Sequence, residues 1–276
     1  MLGIRRLLIA DDFGSAARVG LCFALDLAAR IGSDATLCHV HRPPPRSAGA
    51  RSRRRRGGGV IEQLLSALPL AAERGLRLDL HAFEGEAAHG ISRVAEECAA
   101  DLIVMGVHRK PRRGGRVLGR VALATLDRAP CSVLLVPDCA AELPFGLDRI
   151  LVATDSGTPG GRVLFTVADL ARAAGDPEVV VVDARSLEKP EDAASGFHAD
   201  PLDVLERRVE GLRSQHLRAS GRLLAGPPVP ALLDLVGSED FDLLALATRG
   251  RGGRALGALE RELVAAAPCP ILLSGG

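Results

Sequence analysis

Two stretches of the chain carry the residue types that bind anions, and each pairs an acidic turn with a basic, glycine-bearing loop. In the first half these are Asp11-Asp12 and the segment from Gly106 to Gly119, which contains His108, Arg109, Lys110, Arg112 and Arg113 and is followed by Arg120. In the second half they are Asp155 and the segment from Ala247 to Gly257, with Arg249, Gly250, Arg251 and Arg254. Glycines let backbone N–H groups approach a phosphate closely, and arginines supply charge-assisted hydrogen bonds to its oxygens. A helix that starts at the end of such a loop adds its free amides. The expected chemistry is therefore binding of a phosphorylated ligand. Catalytic machinery is not visible: there is no Walker lysine-serine pair, no pair of carboxylates to hold a metal, and no serine elbow. We expect a protein that is not an enzyme.

Other groupings are weaker. His81, Glu84, Glu86 and His89 lie close in sequence, but a strand end running into a helix start does not impose ligand geometry, so a solvated helix start accounts for them. Ser15, His39 and Asp11 lack the surroundings of a hydrolase triad. His108 reads as a surface or phosphate-facing donor, and Cys131 and Cys269, each behind a proline at the start of an apolar run, read as packing residues.

The elements that position these loops occur twice. Asp101 to Gly106 aligns with Asp242 to Ala247, Gly114-Gly115-Arg116 with Gly252-Gly253-Arg254, Gly119 with Gly257, and Pro130-Cys131 with Pro268-Cys269. At the start of each copy, Leu7 to Ser15 aligns with Ile150 to Thr158, placing Asp12 on Asp155. A repeat this long is a duplicated domain and not a solenoid unit. The 276 residues suit two domains, 1–140 and 146–276, with the stretch from Pro137 to Pro144 as linker.

Each copy alternates short apolar runs with helical periodicity, the pattern of βαβ units. Strands are predicted near 5–11, 35–40, 78–83, 102–107 and 132–137, with helices near 15–31, 60–74, 87–99 and 117–128. The second copy repeats this, with strands near 149–154, 178–183, 220–224, 242–247 and 270–274. Runs such as LIVMGV are apolar on both faces and belong in a parallel sheet covered on both sides. The fold class is α/β: two repeated domains, each an open five-stranded parallel sheet with helices on both faces, Rossmann-like. In such sheets ligands bind beyond the carboxyl ends of the strands, where the acidic turns and glycine loops fall.

Composition narrows the function classes. Net charge is +1, yet seven arginines lie between Arg42 and Arg56 with no acid among them. This Arg-, Pro- and Gly-rich loop, 42–59, offers no apolar face and is expected to be mobile and solvated. Tryptophan and tyrosine are absent, which disfavours a single-strand nucleic-acid platform. The six cysteines show no CxxC and are expected to be buried and reduced. With no leader and no apolar run long enough to span a bilayer, a cytoplasmic protein is expected.

The strand-one Asp, Glu84-Gly85 and Ala225-Gly226 after strand three, the DLIVMG strand, the Arg/Gly loop and the APC strand closing each copy together resemble the universal stress protein family across both halves. The resemblance implies an adenine nucleotide alpha hydrolase-like fold, a non-catalytic stress-response role, an intrachain pseudo-dimer of the two domains packed through their last strands, and further homo-oligomers or protein partners. It also implies ATP or a related adenine nucleotide as cofactor, held by Asp12, Val40, Gly106 and Gly119 in the first copy, where His108, Arg109 and Arg120 are added donors to the phosphates; the matching residues of the second copy are Asp155, Gly250 and Gly257, with Arg249 as the added cation.

Family members that bind ATP carry a loop of Gly, two residues, Gly, nine residues, Gly, then Ser or Thr. Here Arg109 replaces the inner Gly and Arg120 the hydroxyl residue. In the second copy Ala247 and Ala258 replace the first Gly and the hydroxyl residue, and the loop is three residues shorter. Both losses argue against tight binding, whereas the arginines offer compensating charge. If a nucleotide binds, the first copy is expected to take it; the alternatives are a nucleotide-using α/β enzyme of similar architecture and a scaffold with no ligand.

Overall fold

The computed structural model describes residues 3–42, 59–108, 110–112, 115–142, 145–154, 161–183, 200–248 and 256–275. The arginine loop (43–58), Arg109, Asp155, Arg249 and Gly250 lie outside the described residues. Two compact units are present. One runs from Ile4 to His108 and resumes from Leu118 to Leu143; the other contains Pro144 to Gly276, with the 109–117 segment grouped with it.

In the first unit the chain forms β1 (Arg6–Ala10), α1 (Ser15–Ile31), β2 (Asp34–His41), α2 (59–65), α3 (Leu68–Glu73), β3 (Leu78–Glu84), α4 (Ala87–Glu97) and β4 (Leu102–Val107). After β4 come a short antiparallel pair, β5 (Lys110–Arg112) and β6 (Gly115–Val117), then α5 (Arg120–Arg128) and β7 (Ser132–Pro137). The sheet order is β7-β4-β1-β2-β3, all parallel. Leu8, Leu37, Leu102, Ile103 and Val104 are fully buried, as continuous apolar strands between two helical layers must be.

The second unit repeats the plan with β8 (Arg149–Thr154), α6 (Gly161–Ala174), β9 (Glu178–Asp183), α7 (Pro201–Arg213), β10 (Ala219–Leu223), α8 (Pro228–Ser238), β11 (Leu243–Thr248), α9 (Ala258–Ala266) and β12 (Ile271–Gly275). Its order, β12-β11-β8-β9-β10, is again all parallel.

The duplication extends to individual hydrogen bonds. Asp101, just before β4, accepts the backbone N–H groups of Arg5 and Arg6 at 2.9 and 3.1 Å, and Asp242, just before β11, accepts those of Asp148 and Arg149 at 2.8 and 2.9 Å. The guanidinium of Arg6 donates to the carbonyl of Cys98, and that of Arg149 to the carbonyl of Glu239. Ala99 and Asp240, at the following position in each copy, both have φ of 49°. These contacts join the start of the first strand to the start of the fourth, so the same backbone end is closed in the same way twice.

Helix α1 approaches β4 at backbone contact. Its buried Ala16, Gly20, Ala24 and Ala28 recur every four residues and form one narrow face. A Cβ on Gly20 would lie 2.5 Å from the Gly106 nitrogen, and one on Gly106 would overlap the Ala16 carbonyl oxygen. Both glycines are therefore needed to let the helix reach the strand.

Four of the six cysteines expected to be buried, Cys22, Cys98, Cys131 and Cys139, are only partly so, and the structure departs from the predicted elements in three places. The helix predicted over 60–74 is interrupted at Ser66–Ala67, because Pro69 lacks the N–H that would continue the ladder and starts α3 instead. The helix predicted from 117 begins at Arg120, and the residues before it form the β5–β6 pair. Within the expected linker, Pro137 closes β7 and Asp138–Glu142 form a 3-10 turn.

Replacing Gly106 with Ala is expected to lower the unfolding free energy by about 1–3 kcal/mol, since the added carbon forces α1 away from β4. Urea unfolding of the two proteins checks this; equal midpoints would show that α1 shifts without cost.

Candidate functional site

Parallel register gathers the carboxyl ends of β2, β1 and β4 side by side, with Ala10 opposite both Cys38 and Met105. Asp11 and Asp12 follow β1, Val40 closes β2 beside His41, and Gly106 and His108 end β4. Helix α5 returns with its N-terminus at this same end. The first copy's described site residues are thus brought to one rim of the sheet.

The β1–α1 turn is held by its own acids. Asp11 Oδ1 accepts the Phe13 N–H at 2.6 Å, and Asp12 Oδ1 accepts the Gly14 N–H at 2.9 Å, which closes the turn with Phe13 at a left-handed φ of 62°. Asp11 is buried, and that burial pushes its pKa above the usual aspartate value against the opposing pull of the Phe13 N–H. Asp12 is exposed.

Val40 faces α4. A Cβ on Gly90 would come within 2.9 Å of both Val40 methyl carbons, and Phe83, in register with Val40, crowds the same glycine. His108 turns towards the neighbouring strand: its Nδ1 lies 3.1 Å from Asp138 Oδ2, each side chain about two-fifths exposed. A contact so open to water adds little to stability.

The roles of the two glycines differ. Gly106 is taken up by the α1 contact, so its missing side chain serves packing. Gly119 is the N-cap of α5, has no side-chain cap, and among the described residues a Cβ there would meet nothing within 4 Å. The adjacent amides start a helix with no acid in its first turn and with Arg120 exposed at its first position.

The second copy presents a different face. Gly257 caps α9, but a Cβ on it would collide with the carboxylate of Glu260, which folds back over the cap from three residues along. The helix start that would receive an anion is already beside one. In the first copy the corresponding residue is Ala122, which has no such group. At the end of β8, Thr154 stands where Asp11 stands in β1; its hydroxyl donates to the Val182 carbonyl at 3.2 Å and accepts from Arg208 at 2.8 Å. Asp183 is buried beside it at the end of β9.

Sequence reasoning missed Glu260, whose spacing from Gly257 was its only signal, and Gly20, which needs its partner Gly106 in space to be understood. It also missed the Asp101 and Asp242 contacts, though both acids occupy the same repeat position. Glu86 of the acidic and histidine cluster caps α4, accepting the N–H groups of Ala88 and His89 at 3.2 and 2.8 Å; these bonds lower its pKa. The thiol of Cys38 is pushed up to about 12 by burial, which suits packing and not nucleophilic work.

A duplicated, Rossmann-like α/β unit with an acidic turn after its first strand and a glycine at the N-cap of its last helix defines the class of fold. The family model described as the universal stress protein family matches residues 3–137 and again 146–274, and the chain belongs to that family. A universal stress protein of Mycobacterium tuberculosis is 26% identical over 92% of this chain and 95% of its own length. One from Thermus aquaticus is 31% identical over 45% of this chain and 96% of its own. The solved universal stress protein of Archaeoglobus fulgidus shares the fold at a TM-score of 0.80, with 17% identity and 99% of each chain covered.

The burial of Asp11 sets a pH dependence. Its folded pKa is raised, so the favourable contribution is complete below the ordinary aspartate value and is lost as pH rises through the folded pKa. Asp11→Asn, which keeps an oxygen for the Phe13 N–H, should therefore match or exceed the wild type in stability at pH 7 and lose that margin on acidification. Chemical unfolding of both proteins across pH 3.5 to 7 checks the sign; a margin that grows on acidification would contradict it.

Proposed function

We propose that the protein is a non-catalytic, tandem stress-response protein whose first unit holds an adenine nucleotide and whose second does not. The observation that carries the reading is the contrast at the two helix starts: open space above Gly119, and the Glu260 carboxylate over Gly257. In this reading Asp12 and Val40 flank the adenine end, as family likeness suggests. The amides that begin α5, with the side chain of Arg120, face the phosphates. Arg109 fills the loop position where family members that bind ATP have Gly and adds a second cation. When bound, the nucleotide supplies negative charge and hydrogen-bonding groups that knit the β1 turn to the start of α5, giving a partner protein a surface to read.

Turnover is not expected, because hydrolysis needs a placed water and a metal held by carboxylates, and Asp12 is a single acid. A magnesium-dependent ATPase rate well above background and lost in Asp12→Ala would replace this reading with an enzyme. The two units are proposed to form an intrachain pseudo-dimer through β7 and β12, since a flat apolar edge left open invites pairing. No helix among the described residues is long and apolar enough to cross a membrane, which is compatible with a cytoplasmic setting.

Native mass spectrometry with added ATP should show one nucleotide per chain. Arg120→Ala should weaken that binding by about 1.5–3 kcal/mol, the range for a direct hydrogen bond to a charged phosphate. If Arg109→Gly combined with Arg120→Ser tightens binding instead, the arginines block the pocket and the first unit is a lapsed site.

A further inference from the structure

The end of β2 reads His39-Val40-His41, and a strand alternates faces, so the two imidazoles share the face opposite Val40. The nucleotide reading does not use that face. His39 Nδ1 lies 2.7 Å from the Asp11 carbonyl oxygen, which can only accept, so Nδ1 carries the proton and Nε2 presents its lone pair. The Phe13 ring stacks on His39 with centroids 4.0 Å apart and planes 17° from parallel. Together these contacts fix both the tautomer and the plane of His39. A ring nitrogen bonded to a backbone carbonyl, with the other left free, is the arrangement that orients histidine ligands in metal sites. His41 lies next along the same face, its ring 6.4 Å from that of His39 and 15° from parallel, and only partly buried.

We propose that His39 and His41 form a two-imidazole site for a divalent transition metal of the nickel, copper or zinc type, with water completing the coordination shell. Metal–nitrogen bonds of about 2.0–2.1 Å require the two donor atoms to lie within about 4 Å of each other. His39 is the fixed ligand. His41, at the end of the strand, turns about its side-chain torsions to meet the ion. Glu84, exposed and in register with His41 on β3, offers a carboxylate contact through water. No ready-made set of three ligating side chains is gathered among the described residues, so the site is bidentate. It belongs to the first copy alone, because the second has Asp183-Ala184-Arg185 at the matching positions.

The test uses the full, untagged chain with Ni²⁺ as probe. Calorimetric titration should give one strong equivalent per chain, weakened at least about tenfold by His41→Asn and unchanged by His81→Asn. In the wild type, paramagnetic Ni²⁺ should broaden the ring-proton resonances of His39 and His41 first, a readout that does not depend on any variant folding. Binding that survives His41→Asn overturns the proposal, as does initial broadening at other histidines or no binding at millimolar Ni²⁺.

Discussion

The backbone contact between α1 and β4 is the constraint on which the first unit's carboxyl rim depends. Gly20 and Gly106 remove two side chains from the same spot, and the helix drops onto the strand until its Ala16 carbonyl lies where a Cβ would otherwise be. Because α1 begins only three residues beyond Asp12, its depth fixes how the β1 turn sits against the end of β4. The positive φ of Phe13 follows from that closure: the chain must reverse from a buried strand into a closely packed helix within four residues. Asp11 and Asp12 each take up an N–H of the turn, which offsets part of the strain of a non-glycine residue in a left-handed conformation.

From that turn the structure places different side chains on the opposite faces of one strand. Val40 faces α4 and closes the apolar side of the rim. His39, one residue earlier, faces away from it and is pinned by the Asp11 carbonyl and the Phe13 ring. The period of two along β2 keeps them apart. An aspartate pair that shapes a loop therefore also orients an imidazole, through the backbone carbonyl of Asp11.

The two copies share a scaffold and differ at its rim. The Asp101 and Asp242 contacts, the arginines that reach the preceding helix ends, and the left-handed Ala99 and Asp240 close the amino ends of both sheets identically. At the carboxyl ends the correspondence stops. Thr154 and Asp183, with Arg208 on the Thr154 hydroxyl, stand where Asp11 and His39 stand, and Glu260 covers a helix start that Ala122 leaves open. Backbone closure tolerates little variation, because it satisfies N–H groups needed by any copy of the fold, whereas the rim faces solvent and can diverge without loss of the core.

Much of the architecture was legible in residue order alone. The repeat, the five strands of each copy and most helix limits followed from apolar periodicity and from Asp101 matching Asp242, since burial on two faces leaves a parallel strand no freedom in composition. The helix break before Pro69 was legible in principle from the missing N–H, but the β5–β6 pair was not, because three-residue strands carry no periodic signal. At the site, the sequence located Asp12, Val40, Gly106 and Gly119 at one end of the sheet by counting from strand ends. It assigned both glycines to the ligand. Only the tertiary structure separated them, giving Gly106 to α1 and leaving Gly119 open, because a glycine's role is set by what occupies the space beside it. The same holds for Glu260 and for His39, whose partners come from a folded-back helix turn and from a turn 28 residues away.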